Sequence, residues 1–244
     1  MIVFLHGVPE TYELWDELRA HLDAPSVALA LPGFGKGVPE GFTATQDAYV
    51  EWVLAQLSSW DEPIDLVGHD WGGIIACRIA TSAGTQLRSW ASDAVGILRE
   101  DYVWHDLAQI WRTPNDGEAF WENQIVTPVE DRAAVFTMLG ASTHAASRMA
   151  AALDPTMASC ILRLYRSSDP NPAAAWRPSL GPTRSPGLVI IPTDDPFGDE
   201  AHARSLAESL HARVGLLPGL GHWWASQDPN AAADMLTSFW SSLD

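Results

Sequence analysis

Residues 68–73 read Gly68-His69-Asp70-Trp71-Gly72-Gly73, and Asp70 is the residue that could do chemistry. A short apolar run over 64–67 precedes this stretch and a helix-like run over 74–80 follows it. The pattern is strand, sharp turn, helix, with an acid at the tip. It has the shape of a G-x-S-x-G elbow with aspartate in place of serine. A carboxylate is a poor nucleophile towards acyl carbon, because the product would be an anhydride. Towards saturated carbon it is competent, because displacement leaves an alkyl ester of the protein. Asp is also a common helix cap. Gly68 and Gly72, two residues to either side, argue for more than a cap, since a strained turn tolerates no Cβ where strand and helix pass closely.

Partners for such a nucleophile follow in order. The run 187–191 reads as a buried strand and leads into Thr193-Asp194-Asp195-Pro196-Phe197. An acid just past the end of a core strand stands at the sheet edge where sites form. Asp195 is preferred to its neighbour Asp194 for its Asp-Pro-Phe setting. A strand over 214–217 then leads into Pro218-Gly219-Leu220-Gly221-His222-Trp223, which makes His222 the candidate base. Nucleophile, acid and histidine occur in that chain order.

With these motifs in hand, nearly the whole chain resembles the α/β-hydrolase superfamily, in its aspartate-nucleophile branch of epoxide hydrolases and haloalkane dehalogenases. His6-Gly7-Val8-Pro9 is similar to the His-Gly-x-Pro oxyanion motif, and 30–35 to the loop after the next strand. The resemblance implies a triad of Asp70, His222 and Asp195. It implies an oxyanion hole from the backbone N–H groups of Val8 and Trp71, and a cis Val8–Pro9 bond. It implies a pocket that includes His6, Pro9, Trp104, Trp111 and Trp223. Epoxide opening needs a proton for the leaving alkoxide. Tyr165, in a Tyr-Arg context, matches one of the two tyrosines that relatives use; His105 is the candidate second donor, with Tyr102 at the entrance to the helical segment. Halide displacement needs N–H donors instead. Trp104, Trp111 and Trp121 are candidates for that role, while Val8 stands where many dehalogenases have asparagine. The branch therefore implies epoxide hydrolysis first, haloalkane or haloacetate dehalogenation second, and a non-catalytic ligand pocket as a distant third. No metal or cofactor is implied.

Composition agrees with a single domain. The chain has 244 residues, 47% of them hydrophobic, enough for a sizeable core. Its net charge of −17 disfavours nucleic acid and anionic membrane as partners. The same charge disfavours an anionic substrate unless local arginines gather it. Cys77 and Cys160 fit neither a metal spacing nor a disulfide framework. The apolar start lacks the basic lead of a signal peptide, and no run approaches a membrane span. The expectation is a cytoplasmic enzyme acting on a small apolar substrate, with a homodimer as the one assembly kept open.

The elements that must position these residues read as alternating strands and helices. Strands are expected over 2–6, 26–31, 64–69 and 87–94, with helices over 11–22, 45–60 and 72–82. This predicts a mostly parallel sheet of about six strands with helices on both faces. The edge strands that many relatives carry before the His-Gly strand are expected to be missing from this sequence, natively or by truncation. From 97 to 175 no strand-like run appears. Helix-like segments over 103–111, 116–122, 129–139, 145–152 and 157–166 predict an inserted α-helical cap. A proline-rich stretch over 172–186 returns the chain to the core. The expected division is core 1–96, cap 97–175 and core 176–244.

Overall fold

The computed structural model describes residues 1–82, 87–176 and 180–243. Residues 177–179 of the expected proline-rich return lie outside the described residues. Six parallel strands form one sheet in the order β2-β1-β3-β4-β5-β6. They are β1 (Ile2–Leu5), β2 (Ser26–Leu29), β3 (Asp65–Gly68), β4 (Ser89–Ser92), β5 (Gly187–Pro192) and β6 (Arg213–Leu217).

Alternation along each strand explains why the sheet is covered on both faces. In β1, Val3 and Leu5 enter one apolar cluster while Ile2 and Phe4 enter the other. In β5, Val189 and Ile191 face the first, and Leu188 and Ile190 the second. Side chains two apart share a face of a strand, so a continuous apolar run feeds two cores at once. Each fully buried side chain of this size contributes about 1.5–3 kcal/mol.

The first helical segment is shorter than the sequence suggests. A 3-10 turn (Tyr12–Trp15) runs into α1 (Asp16–Arg19), and the helix is over before Pro25 begins the approach to β2. Next come α2 (Gln46–Leu57), capped by the Thr45 hydroxyl, and α3 (Trp71–Ala80) behind the elbow. The expected strand over 87–94 contracts to β4, because Asp93 turns out of it to meet polar partners.

Among the described residues, six α-helices lie between β4 and β5: α4 (Asp106–Arg112), α5 (Asp116–Val126), α6 (Val129–Met138), α7 (Thr143–Ala152), α8 (Pro155–Ser167) and α9 (Pro172–Trp176). In this insertion α4, α5 and α8 pack together, and α6 packs along α7. Helix α4 starts at Asp106 rather than 103 because the His105 ring caps it, accepting from Ala108 N–H at 3.3 Å. Helix α9 falls where the sequence predicts only a return segment; Asn171 Oδ1 caps its start, accepting from Ala174 N–H. The chain closes with α10 (Glu200–Leu210), α11 (Trp224–Gln227) and α12 (Pro229–Ser241), which have no counterpart among the expected elements. No helix among the described residues is long and apolar enough to cross a membrane.

Candidate active site

The loops after β1, β3, β4, β5 and β6 converge at the C-terminal edge of the sheet. The turn after β3 is the tightest. Asp70 adopts φ 50° and ψ −122°, a left-handed conformation that L side chains rarely take. Such strain costs of order 1–3 kcal/mol and persists only where its surroundings enforce it. The surroundings here are crowded backbone: a Cβ on Gly68 would lie 2.2 Å from the carbonyl oxygen of Gly72. A Cβ on Gly7, in the loop after β1, would lie 2.4 Å from both Cβ and Oδ1 of Asp70. Glycine at these points lets the two loops touch.

That approach brings the backbone N–H of Val8 to Asp70 Oδ1 at 2.9 Å. The backbone N–H of Trp71, at the start of α3, also bonds the carboxylate. The Val8–Pro9 peptide is cis. Burial pushes the Asp70 carboxyl up, and the nearby His222 opposes that shift; the net value is about 6.

His222, in the loop after β6, bonds Asp195 Oδ2 through Nδ1 at 3.1 Å. Asp195 Oδ1 accepts from Phe197 N–H at 2.9 Å, which fixes the carboxylate. Its neighbour Asp194 is exposed and accepts from the Thr193 hydroxyl instead. Burial alone would lower the His222 pKa. The bond to Asp195 and the charges of Asp195 and Asp70 outweigh both burial and the repulsion of His69, so the pKa is raised.

Behind this pair lies a buried ionic network that the sequence reading does not single out. His69 Nε2 bonds Glu10 Oε1 at 2.9 Å, and His69 Nδ1 makes a short bond to Asp93 Oδ2. Asp93 Oδ1 accepts from the Asp70 N–H at 2.9 Å. Glu10 also accepts from Gly7 N–H and from the Trp223 indole, both at 2.7 Å. An imidazole whose two nitrogens both face carboxylates carries both protons, and the pKa of His69 is held well above the usual histidine range against the cost of burial. Glu10 goes to about 2, because His69 overcomes its burial.

A cavity of about 320 Å³ opens onto Asp70, His222 and Asp195. Val8, Pro9, Trp71, Tyr102, Trp104, His105, Trp111, Trp121, Tyr165 and Trp223 line it. Tyr165 packs edge-on against Trp71 and Trp111. Burial raises the pKa of Tyr102 to about 12 and that of Tyr165 well above 10, and the charge of Asp70 adds to both shifts. Among the described residues, Glu10, His69 and His222 bring possible metal-ligand atoms within 4.8 Å of one another. Glu10 and His69 are committed to the ionic network, and the His222 Nδ1 to Asp195.

The geometry invites comparison with known proteins. A model of the alpha/beta hydrolase family matches residues 2–235. The chain belongs to this family. An alpha/beta hydrolase assigned as an epoxide hydrolase, from Pseudomonas aeruginosa, superposes with a TM-score of 0.80 at 17% identity, over 99% of this chain and 88% of that one. Haloalkane dehalogenase DbeA from Bradyrhizobium elkani gives 0.70 at 20% identity, over 99% and 91%. Likeness at such identities concerns the fold. Lipase LipV of Mycobacterium tuberculosis is 33% identical over 90 residues, which span 35% of this chain and 33% of the lipase.

Within this alpha/beta hydrolase the residues singled out from sequence do not all meet. Asp70, His222, Asp195, Val8, Trp71, Pro9, Tyr165, His105, Trp104, Trp111 and Trp223 share the cavity. His6 does not line it, which corrects its placement in the pocket. Fully buried, its ring bonds the Gly7 carbonyl at 2.9 Å and accepts from Leu31 N–H at 3.1 Å. Burial lowers its pKa to about 4, so a neutral His6 braces the loop after β1 against the loop after β2. Tyr102, at the entrance to the helical segment, lies in the cavity wall. Trp104 donates its indole N–H to the Pro170 carbonyl at 2.9 Å, whereas the N–H groups of Trp111 and Trp121 have no partner among the described residues.

Proposed function

We propose that this protein hydrolyses a substrate at saturated carbon through a covalent alkyl ester on Asp70, with an epoxide as substrate and a vicinal diol as product. The observation that carries the reading is the Asp70 carboxylate, raised on a strained elbow at the cavity, with Oδ1 bonded to Val8 N–H. The free oxygen attacks the less hindered ring carbon. The ring C–O bond breaks, and Tyr165 or Tyr102 gives a proton to the departing oxygen. His222, held by Asp195, then takes a proton from water, and the water oxygen bonds to the ester carbon. The N–H groups of Val8 and Trp71 hold the oxyanion, a charge whose stabilisation is a large catalytic term. Collapse releases the diol alkoxide, which takes its proton from His222, and the remaining proton on the added water oxygen passes to the tyrosinate, which restores the Asp70 carboxylate. In this reading α4 to α9 form a cap over the sheet edge, and Tyr165 on α8 and Tyr102 just before α4 are the two candidate acids.

One observation favours a second reading, haloalkane dehalogenation. Trp111 and Trp121 line the cavity with indole N–H groups that have no partner among the described residues, and halide leaves without a proton but wants such donors. Acyl chemistry of the kind named for the partial lipase match does not suit a carboxylate at position 70. The acidic surface is consistent with a cytoplasmic enzyme that has neither nucleic acid nor membrane as partner. The test is a panel of styrene oxide, aliphatic epoxides and bromoalkanes, reading diol and bromide release. Diol formation abolished by Asp70→Asn supports the epoxide reading. Bromide release with no diol replaces it with the second.

A further inference from the structure

The cavity wall contains one buried cation, Arg132 on α6, that the reaction above does not use. Only 6% of Arg132 is exposed. Its Nη1 donates to the carbonyl oxygens of Gln124 and Leu153 at 3.3 and 3.4 Å, both long contacts, and its Nε has no partner. Among the described residues, no carboxylate pairs with it. Arg88, Arg112, Arg148 and Arg166, by contrast, each pair with one. The chain holds 31 acidic residues against 14 basic ones, so a counter-ion was not hard to supply.

A guanidinium does not give up its proton inside a protein, and a buried charge without a partner is strongly unfavourable. Two long bonds to backbone carbonyls offset little of that cost. The cavity that Arg132 lines also has the apolar side chains of Phe120, Trp121, Val135 and Leu153 in its wall, with Gln124 as a neutral polar one. A planar fork of donors in an apolar wall matches a carboxylate, which accepts from it in two parallel bonds.

We infer that the cavity takes a substrate with two ends: an electrophilic carbon at Asp70 and a carboxylate on Arg132, joined by an apolar spacer. The identity of the reactive end rests on the function proposed above; the carboxylate end does not. Arg132 is then the specificity residue, and it reverses locally the repulsion that a protein of charge −17 exerts on an anion.

The carboxylate end is tested by binding, with no turnover involved. Octanoate, octanamide, octanol and octyl phosphate are titrated into the full protein, following tryptophan fluorescence and calorimetry. Octanoate is expected to bind at least about tenfold tighter than octanamide or octanol, the scale of a charge-assisted bidentate contact. In Arg132→Gln that preference is expected to collapse towards one, and Arg132→Lys to restore part of it. The kinetic counterpart compares 10,11-epoxyundecanoate with its amide, where the ratio of KM values should show the same preference and the same collapse. Equal binding of octanoate and octanamide by the wild type overturns the proposal, even if no variant folds. A preference that survives Arg132→Gln also overturns it, leaving Arg132 as a tie between α5 and the α7–α8 turn. Tighter binding of octyl phosphate than of octanoate overturns the choice of carboxylate. If octanoate binds through Arg132 and no epoxide is turned over, the inference stands and the proposed function falls.

Discussion

The rings of His69 and His222 lie 4.6 Å apart, centroid to centroid, and each is held by its own carboxylates. His69 is clamped between Glu10 and Asp93, which favour its protonated form. His222 has a single carboxylate, on Nδ1, and in the proposed mechanism its Nε2 is the base. The positive ring beside it opposes protonation of His222, and Asp195 favours it. His222 thus sits beside a ring whose protonated form is favoured well above the usual histidine range.

The first prediction concerns that base. In His222→Gln, Asp70 still reaches the substrate, but nothing activates water. Intact-mass spectrometry after incubation with an epoxide is expected to show one covalent adduct, mapped to the peptide that contains Asp70. An adduct elsewhere, or undiminished turnover, excludes the proposed ester.

The second concerns the tyrosines. Loss of a positioned general acid costs typically ~10²–10⁴-fold. Tyr165→Phe and Tyr102→Phe are each expected to slow epoxide opening by at least the lower end of that range, while leaving any bromoalkane reaction nearly unchanged. Equal losses on both substrate classes would mean that the two rings only shape the cavity.

The third concerns pH. Attack needs ionised Asp70, whose carboxyl sits at about 6, raised by burial. Ester hydrolysis needs neutral His222, whose pKa is also raised. Both steps gain from deprotonation, so activity falls as pH drops. Stopped-flow formation of the ester should rise with pH through about 6, and steady-state turnover should follow at a higher pH. Because the pKa values of both tyrosines are raised, the acid is not lost on the alkaline side near neutrality. Ester formation that is flat from roughly pH 5 to 8 contradicts an ionisable nucleophile of this kind.

The fourth concerns the ionic network. Removing one member of a buried ion pair typically costs about 3–5 kcal/mol, because the other is left uncompensated. His69→Ala strands two carboxylates, so urea denaturation is expected to show a loss of at least that order. The pH dependence follows from the shifts. Glu10 goes from 4.5 unfolded to about 2 folded, so its contribution is complete above 4.5 and is lost as pH falls towards 2. His69 is raised, so its contribution is present below its unfolded value of 6.5 and is lost only as pH rises through its higher folded value. A His69→Ala protein as stable as the wild type would show that the network carries no net weight.

Much of this was legible from sequence for a physical reason: the elbow and the strand-end loops are local. Gly68, Asp70 and Gly72 specify their turn within five residues, and Asp195 and His222 each announce themselves at the end of an apolar run. Asp93 has the same position after β4, yet its role depends on His69, which no local spacing reveals. Glu10 follows Pro9 and reads as a surface loop acid until His69 and Trp223 close over it. The Tyr102 ring depends on how α4 leaves the core, which a loop decides. Helices α10 and α12 carried readable signals, with Asp199 as one cap and Asp228 before Pro229 as the other. The cation on α6 was invisible, because an arginine among helical residues looks like any solvated one until its surroundings are known.

The bond from Val8 N–H to Asp70 Oδ1 also makes the two oxygens of one carboxylate chemically distinct. In the proposed mechanism the bonded oxygen becomes the ester carbonyl, then the oxyanion, and never leaves the protein. The free oxygen departs in each product, and an oxygen from water takes its place. As long as the carboxylate does not turn over in its cradle, enzyme cycling in ¹⁸O-water gains one heavy oxygen at Asp70 and stops there, however many turnovers follow. A second heavy oxygen would time the rotation of that carboxylate against the catalytic cycle.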